Sequence, residues 1–402
     1  MELENAGGTL VRMHPIAPID AIQFDGDLDG STGTNRAVGA AQISAANDVA
    51  AVKAWLASFH DRRATLESYR KEAERLLLWS VIELGKPLSS LTHEDFLVYQ
   101  RFLAELRPGS RWVLAAGQKK VSRKDPAWRP FAGPLSATSQ RQAMVILNVM
   151  FSWLVMAGYL RGNPLALLRQ RRRRTAPRVT RYLEHDIWRE VKATISAMPQ
   201  ETDRERAHYF RVRWLFSLLY IGGLRISEVV GNTMGGFFRR RDKEGEERWW
   251  LEVFGKGSKT RLVVATDELM IELARYRREN GLAPSPSSGE EIPLLFRITN
   301  DPSQLRRPLT RASVHEIVKV VFEATAKRLR ERGQEAAAQT VESASAHWLR
   351  HTSGTHMMDN NIDVRQLRDN LGHESIATTN IYAHQEDDER HKQIEEKHRL
   401  GW

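Results

Sequence analysis

The sequence contains no cysteine. That excludes disulfides, thiol nucleophiles and cysteine-ligated metals, and it fits a cytosolic setting. No apolar run approaches the roughly 20 residues needed to span a bilayer. The chain begins Met1-Glu2-Leu3-Glu4, without the basic start and apolar stretch of a secretory signal. No segment repeats at a fixed period. Acid is the minority charge: 50 Asp and Glu face 60 Lys and Arg, a formal net charge of +10. Such a balance favours a polyanionic partner, nucleic acid before a membrane surface. The basic segments lack the apolar partner face that membrane binding needs.

What is present suffices for two domains. The chain has 402 residues, 41% of them hydrophobic. Residues 1–44 are rich in Gly, Asp, Ala and Thr without helical or strand period, and are expected to form a flexible arm. From residue 45 the pattern turns helical. Val49, Val52, Leu56 and Phe59 share one face, as do Tyr69, Ala73, Leu76 and Leu77, and then Phe96, Tyr99, Leu103 and Leu106. Thr92 suits the N-cap of the third helix. A fourth, over about 138–158, is apolar nearly all round and belongs at the centre of a bundle, with Gly158 at its end. Residues 45–165 therefore read as a domain of four or five helices. A basic loop with Trp112 and Trp128 interleaved lies inside it, carrying Lys119, Lys120, Arg123 and Lys124. A second basic run, Arg171, Arg172, Arg173 and Arg174, falls in a linker over 166–181. Like charges this dense resist packing, yet each phosphate they met would release counterions.

The second domain is expected over 182–384. A helix opens at His185 or Asp186, and an apolar helix containing Trp214 to Tyr220 ends at Gly222-Gly223. A short helix then begins near Arg225. A hairpin follows, from Trp249 to Phe254 and from Arg261 to Val264, with a turn at Gly255-Lys256-Gly257-Ser258-Lys259. A strand near Phe237-Phe238 completes a small antiparallel sheet. Beyond residue 310 the pattern is helical and broken at Gly372, and residues 385–402 form a charged tail helix.

Four clusters carry possible chemistry, and each alone has a plain structural reading. Arg225 and Glu228 share a helical face, a common scaffold pair. They also suit a guanidinium fork aimed at a phosphate. Lys256 sits at a hairpin tip, where lysines are ordinarily solvated, with Lys259 and Arg261 as neighbours. His347 and Arg350 lie three apart on one helical face, and His351 is expected to point away from it. Gly372 marks a helix end before His373, and Tyr382 follows nine residues later.

Jointly, the strings Gly-Leu-Arg-Ile-Ser-Glu, Gly-Lys-Gly-Ser-Lys-Thr-Arg, His-x-Leu-Arg-His-Thr, Leu-Gly-His and Thr-x-x-Tyr occur in this order. The chain thereby resembles the tyrosine recombinases, or phage integrases, which include the Xer recombinases, lambda integrase and Cre. The resemblance covers about residues 45–385, closely in the second domain and more loosely in the helical one. Trp348 and Val264 depart from common family choices at positions without chemistry. The arm and the loop at about 107–135 are longer than in minimal members.

The resemblance implies a mainly α protein. A SAM-like core-binding bundle would be joined to a mixed α+β catalytic domain, together forming a C-shaped DNA clamp. It implies a catalytic set of Arg225, Lys256, His347, Arg350, His373 and Tyr382, supported by Glu228. Arg225, Arg350 and His373 would bind the phosphate and Tyr382 would attack it. His347 would take its proton, and Lys256 would protonate the leaving oxygen. Lys119, Lys120, Arg123, Lys124, Arg171 to Arg174, Lys259 and Arg261 are candidate DNA contacts. No metal and no cofactor is expected, because the bond energy stays in a phosphotyrosine. The expected partner is a double-stranded recombination site, bound by a homotetramer across two sites, with a monomer or weak oligomer when free. Accessory recombination proteins are a further possibility. The function implied is site-specific recombination through a Holliday junction for a phage or mobile element, in the bacterial cytoplasm at the nucleoid. Two alternatives stay open. One is a topoisomerase- or resolvase-type enzyme with the same chemistry. The other is a catalytically silent DNA-binding regulator, which the filled catalytic positions disfavour.

Overall fold

The computed structural model describes residues 2–4, 10–12, 15–24, 26–114, 121–168, 181–255, 259–299, 301 and 306–372. The chain divides into two compact units, Met1–Arg173 and Arg174–Trp402. Each has its own hydrophobic core.

The first unit is helical: α1 (Asp48–Ala57), α2 (Arg63–Leu84), α3 (His93–Glu105), the single turn α4 (Gly109–Trp112) and α5 (Ala137–Met156). The Asp95 carboxylate accepts the Thr92 N–H at 2.9 Å, so the start of α3 is capped as its sequence suggests. α5 ends just before Gly158, whose φ of 71° suits glycine. Trp112 and Trp128, interleaved with basic residues in the sequence, are buried core.

The arm reading is corrected for residues 15–44. Ile19, Ile22 and Phe24 are buried in the bundle core. Ile19 N–H donates to Glu74 Oε1 at 2.6 Å, and Asn35 N–H donates to the Ser89 carbonyl at 2.8 Å. The Arg36 guanidinium lies 3.7 Å from the Tyr159 ring centroid. A short antiparallel pair, β1 (Glu2–Glu4) and β2 (Leu10–Arg12), precedes this segment. The segment lacks period because its backbone donors and acceptors are met by loops and side chains of the bundle, not by a regular ladder.

The second unit holds α6 (His185–Ser196), α7 (Asp203–Tyr220) and α8 (Ile226–Gly231). Then come β3 (Phe237–Arg241), β4 (Glu247–Phe254) and β5 (Thr260–Val264), followed by α9 (Asp267–Glu279), α10 (Arg311–Glu331), α11 (Glu335–Ser343), α12 (Ala346–Asp359) and α13 (Val364–Leu371). The strands form one antiparallel sheet in the order β3-β4-β5. Leu251, paired with Phe237 and Val263, is fully buried with both. That alternation turns one sheet face to the core. The helical stretch after residue 310 breaks earlier than its pattern suggests. The backbone turns at Gly333 and again at Asn361, both with positive φ.

Candidate active site

The site grows from the turn between α7 and α8. Gly223 has a φ of 56°, and a Cβ there would lie 2.6 Å from Leu371 Cδ2. Glycine therefore serves both the turn and the close approach of α13. Arg225 follows and caps α8. Its backbone N–H donates to Glu228 Oε2 and its Nη1 to Glu228 Oε1, each at 2.8 Å. Glu228 is 1% exposed and also accepts from Arg261 Nη2 at 2.8 Å. One buried carboxylate thus lies between two guanidiniums. Burial pushes its carboxyl pKa up, but the charge and hydrogen bond of Arg261, with those of Arg225, outweigh it and hold the group below its usual range. Glu228 stays ionised, as a clamp for two cations requires.

α12 supplies the next pair. Arg350 is buried and donates to the backbone carbonyls of Gly223 and Leu371. His347, one turn earlier, opens to solvent on one side. Partial desolvation, then the positive charges of Arg350 and Arg225, lower its imidazole pKa. Neutral imidazole is the form that accepts a proton. His351 does not point away from this face. Its ring centroid lies 4.5 Å from that of His347, edge to face. An i,i+4 neighbour lies as near in helical angle as an i,i+3 neighbour. Burial first, then the charges of His347, Arg350 and Arg181, bring His351 down to about 4.

The sheet supplies the third piece. Arg261 on β5 donates to the Asn370 carbonyl, and the Val264 N–H donates to Asn370 Oδ1 at 3.1 Å. Arg261 and Arg350 therefore meet two successive carbonyls at the C-terminal end of α13, where the helix dipole favours cations. Gly372 ends that helix with a φ of 62°. The side chain of Asn232 holds the end of β4: Phe254 N–H donates to its Oδ1 at 2.8 Å, and its Nδ2 donates to the Glu228 carbonyl at 2.8 Å. Gly255 N–H donates to the Lys259 carbonyl at 2.8 Å, closing the base of the hairpin turn.

Of the residues singled out in the sequence, Arg225, Glu228, His347 and Arg350 come together. Lys256, His373 and Tyr382 lie outside the described residues, as do Lys119, Lys120, Arg171 to Arg174 and the tail. Lys124 and Lys259 are exposed. Two expected DNA contacts have internal partners in the structure. Arg123 is held by Glu74 at 2.6 Å and by Asp20 at 3.2 Å, and it lies over the Trp128 ring. Arg261 turns inward to Glu228, with its side chain 10% exposed. In both, a buried carboxylate outcompetes solvent for the guanidinium.

Among the described residues, His185, His356 and Asp359 are the cluster with metal-ligand chemistry. His185 Nε2 lies 3.0 Å from Asp359 Oδ2, and the two imidazoles stack at 3.6 Å with planes 11° apart. Ring nitrogens bind metals in the ring plane, so parallel stacked rings do not converge on one ion.

Residues 189–389 match the family model of the phage integrase family. That span contains every string of the ordered pattern, from Arg225 to Tyr382. The chain belongs to the phage integrase family. It is a tyrosine-type site-specific recombinase. The tyrosine recombinase XerD of Brucella abortus biovar 1 (strain 9-941) is 29% identical over 265 residues, 66% of this chain and 77% of that relative. The XerD of Xanthomonas axonopodis pv. citri (strain 306) is 27% identical over 326 residues, 80% of this chain and 87% of its own. A crystal structure of the XerH site-specific recombinase, bound to palindromic difH substrate after cleavage, shares the fold. Its TM-score is 0.56 at 17% identity, covering 83% of this chain and 80% of that one.

In the recombinase, sequence reasoning passed over Asn232 and the backbone carbonyls of Gly223, Asn370 and Leu371. An Asn beside a helix end carries no signal of its own, and carbonyls carry none at all. Gly223 was visible only as a helix breaker.

Proposed function

We propose that the recombinase cleaves and rejoins double-stranded DNA at a specific site through Tyr382. The observation that carries this reading is the gathering of Arg225, Glu228 and Arg350 around the α7–α8 turn, with His347 one turn from Arg350 on α12. A phosphodiester under attack gains negative charge on its non-bridging oxygens, and positioned cations meet it. Arg225, about one-third exposed, offers the open guanidinium, and Arg350 and His373 add to it. Tyr382 Oη attacks phosphorus while His347 takes its proton. The bond to the 5′ oxygen breaks, and Lys256 supplies that oxygen with a proton. The product is a 3′-phosphotyrosine and a free 5′ hydroxyl. Attack by a 5′ hydroxyl on the phosphotyrosine reverses the step and returns the proton to Tyr382. The bond energy is conserved, so rejoining requires neither nucleotide nor metal.

We assign DNA contacts to Lys119, Lys120, Lys124, Arg171 to Arg174 and Lys259, on the helical unit over 45–165, the linker over 166–181 and the catalytic unit over 182–384. Four protomers on two sites exchange strands through a Holliday junction, for a phage or mobile element, in the bacterial cytoplasm at the nucleoid. XerD relatives and the DNA-bound XerH neighbour support a DNA partner.

The test uses a duplex selected from random-sequence DNA by binding to the full chain, then nicked beside the scissile phosphate. Wild type forms a covalent adduct on a denaturing gel, and Tyr382→Phe forms none. An adduct that survives Tyr382→Phe removes the assignment. Recovery of two recombined duplexes, in place of relaxed plasmid, separates recombination from topoisomerase action.

A further inference from the structure

Arg261 is the least exposed cation of the hairpin among the described residues, and it bridges two parts of the site. Its Nη2 reaches Glu228 Oε2 at 2.8 Å, and its Nη1 reaches the Asn370 carbonyl. Glu228 in turn holds Arg225 by two further bonds. The aliphatic stem of Arg261 passes over Gly372: a Cβ there would lie 2.3 Å from Arg261 Cδ. The side chain thus packs on the turn that leads directly into His373, while its own strand leads back to Lys256. It does so from the inside, with a side chain only 10% exposed. Lys259 and Thr260 beside it are exposed, so this side chain faces inward while its strand neighbours face solvent.

We infer that Arg261 is a positioning residue. It fixes the end of α13, which the sequence continues into His373, against the Arg225–Glu228 pair, and it does not contact DNA. This rests on the proposed catalytic roles of Arg225 and His373. A planar fork suits the task. One arm meets a carboxylate and the other a carbonyl at a fixed angle, which a lysine ammonium cannot reproduce with both partners. Shifting a catalytic group by about 1 Å costs on the order of 10²-fold in rate.

The experiment uses the full chain and the selected nicked duplex. Single-turnover adduct formation is measured at saturating DNA, alongside the dissociation constant over a salt series. For Arg261→Gln, adduct formation falls on the order of 10²-fold, while the dissociation constant and its salt slope stay at wild-type values. Arg261→Lys keeps the charge and one contact, and recovers only part of the rate. Loss of a phosphate contact gives the opposite pattern: the salt slope falls by about one and the saturated rate is unchanged. That result, a fall in both quantities, or no change in either would overturn the inference. Thermal melting of each variant identifies loss of fold. Should Arg261→Gln not fold, the saturated rate and salt slope of Arg261→Lys decide by the same criteria. A wild-type adduct that Tyr382→Phe leaves intact would instead overturn the reading of Tyr382, independently of Arg261.

Discussion

Both units of this recombinase bury carboxylates, and they use them differently. In the helical unit, Asp48 is 1% exposed and accepts from Ser89 N–H at 2.9 Å and from Tyr159 Oη at 2.8 Å. Its hydrogen-bond donors are neutral and tie the 15–44 segment and the end of the bundle together, and the charge of Arg36 acts on it more weakly. Burial raises its carboxyl pKa despite these bonds. In the second unit, Glu228 is equally buried, yet two guanidiniums hold its pKa down. The first carboxylate is a joint and tolerates a proton. The second is a counter-ion that must stay charged. Burial alone therefore does not set the charge of a carboxylate; the charge of its partners decides it.

The largest expected effect follows from removing the counter-ion. Glu228→Gln leaves Arg225 and Arg261 without their shared anion, at a cost of about 3 kcal/mol. Adduct formation should fall with it, on the order of 10²-fold. Urea unfolding and single-turnover cleavage read the two effects. Wild-type stability in this variant would abolish the contrast with Asp48.

A second effect separates the units by pH. His351 and His356 are each brought down to about 4, His356 by burial first and then by the charge of His185. Unfolded histidines titrate near 6.5. Between pH 6.5 and 4 the unfolded chain therefore binds more protons than the folded one, so stability falls as pH falls. For His356 the loss is on the order of 2–3 kcal/mol, and less for half-buried His351. His356→Gln should flatten the dependence of the unfolding midpoint over this window. An unchanged slope would show that other groups govern it.

The smallest effect sharpens the comparison from the other side. Asp48→Asn should cost about 1 kcal/mol and leave cleavage at saturating DNA at the wild-type rate. Because the Asp48 carboxyl is raised, its contribution is fully present in acid and is lost as pH rises through its folded value. That of Glu228 is present above its ordinary pKa and lost as pH falls. A cleavage defect in Asp48→Asn would mean that the joint is coupled to the chemistry.

Much of this was legible before folding, and the reason differs by element. Helix period located α2, α3 and α5, because burial of one face imposes it. The hairpin followed from strand residues around glycines. Arg225, Glu228, His347 and Arg350 were readable only as an ordered set, since each alone resembles ordinary scaffold. The packing of residues 15–44 was not legible, because irregular backbone satisfied by loops leaves no period. Nor was the inward turn of Arg123 and Arg261, because their carboxylate partners, Glu74 and Glu228, are distant in sequence.

The sequence by itself determined the residue types, their order and the local elements that carry them, because those depend on nearest neighbours and on which face is apolar. Only the tertiary structure decided which cations face solvent and which are consumed internally. That choice depends on burial and on the distance to a counter-charge, which arise when remote segments pack. Arg225 and Arg261 share one carboxylate; one remains about a third open, and the other closes the site from within.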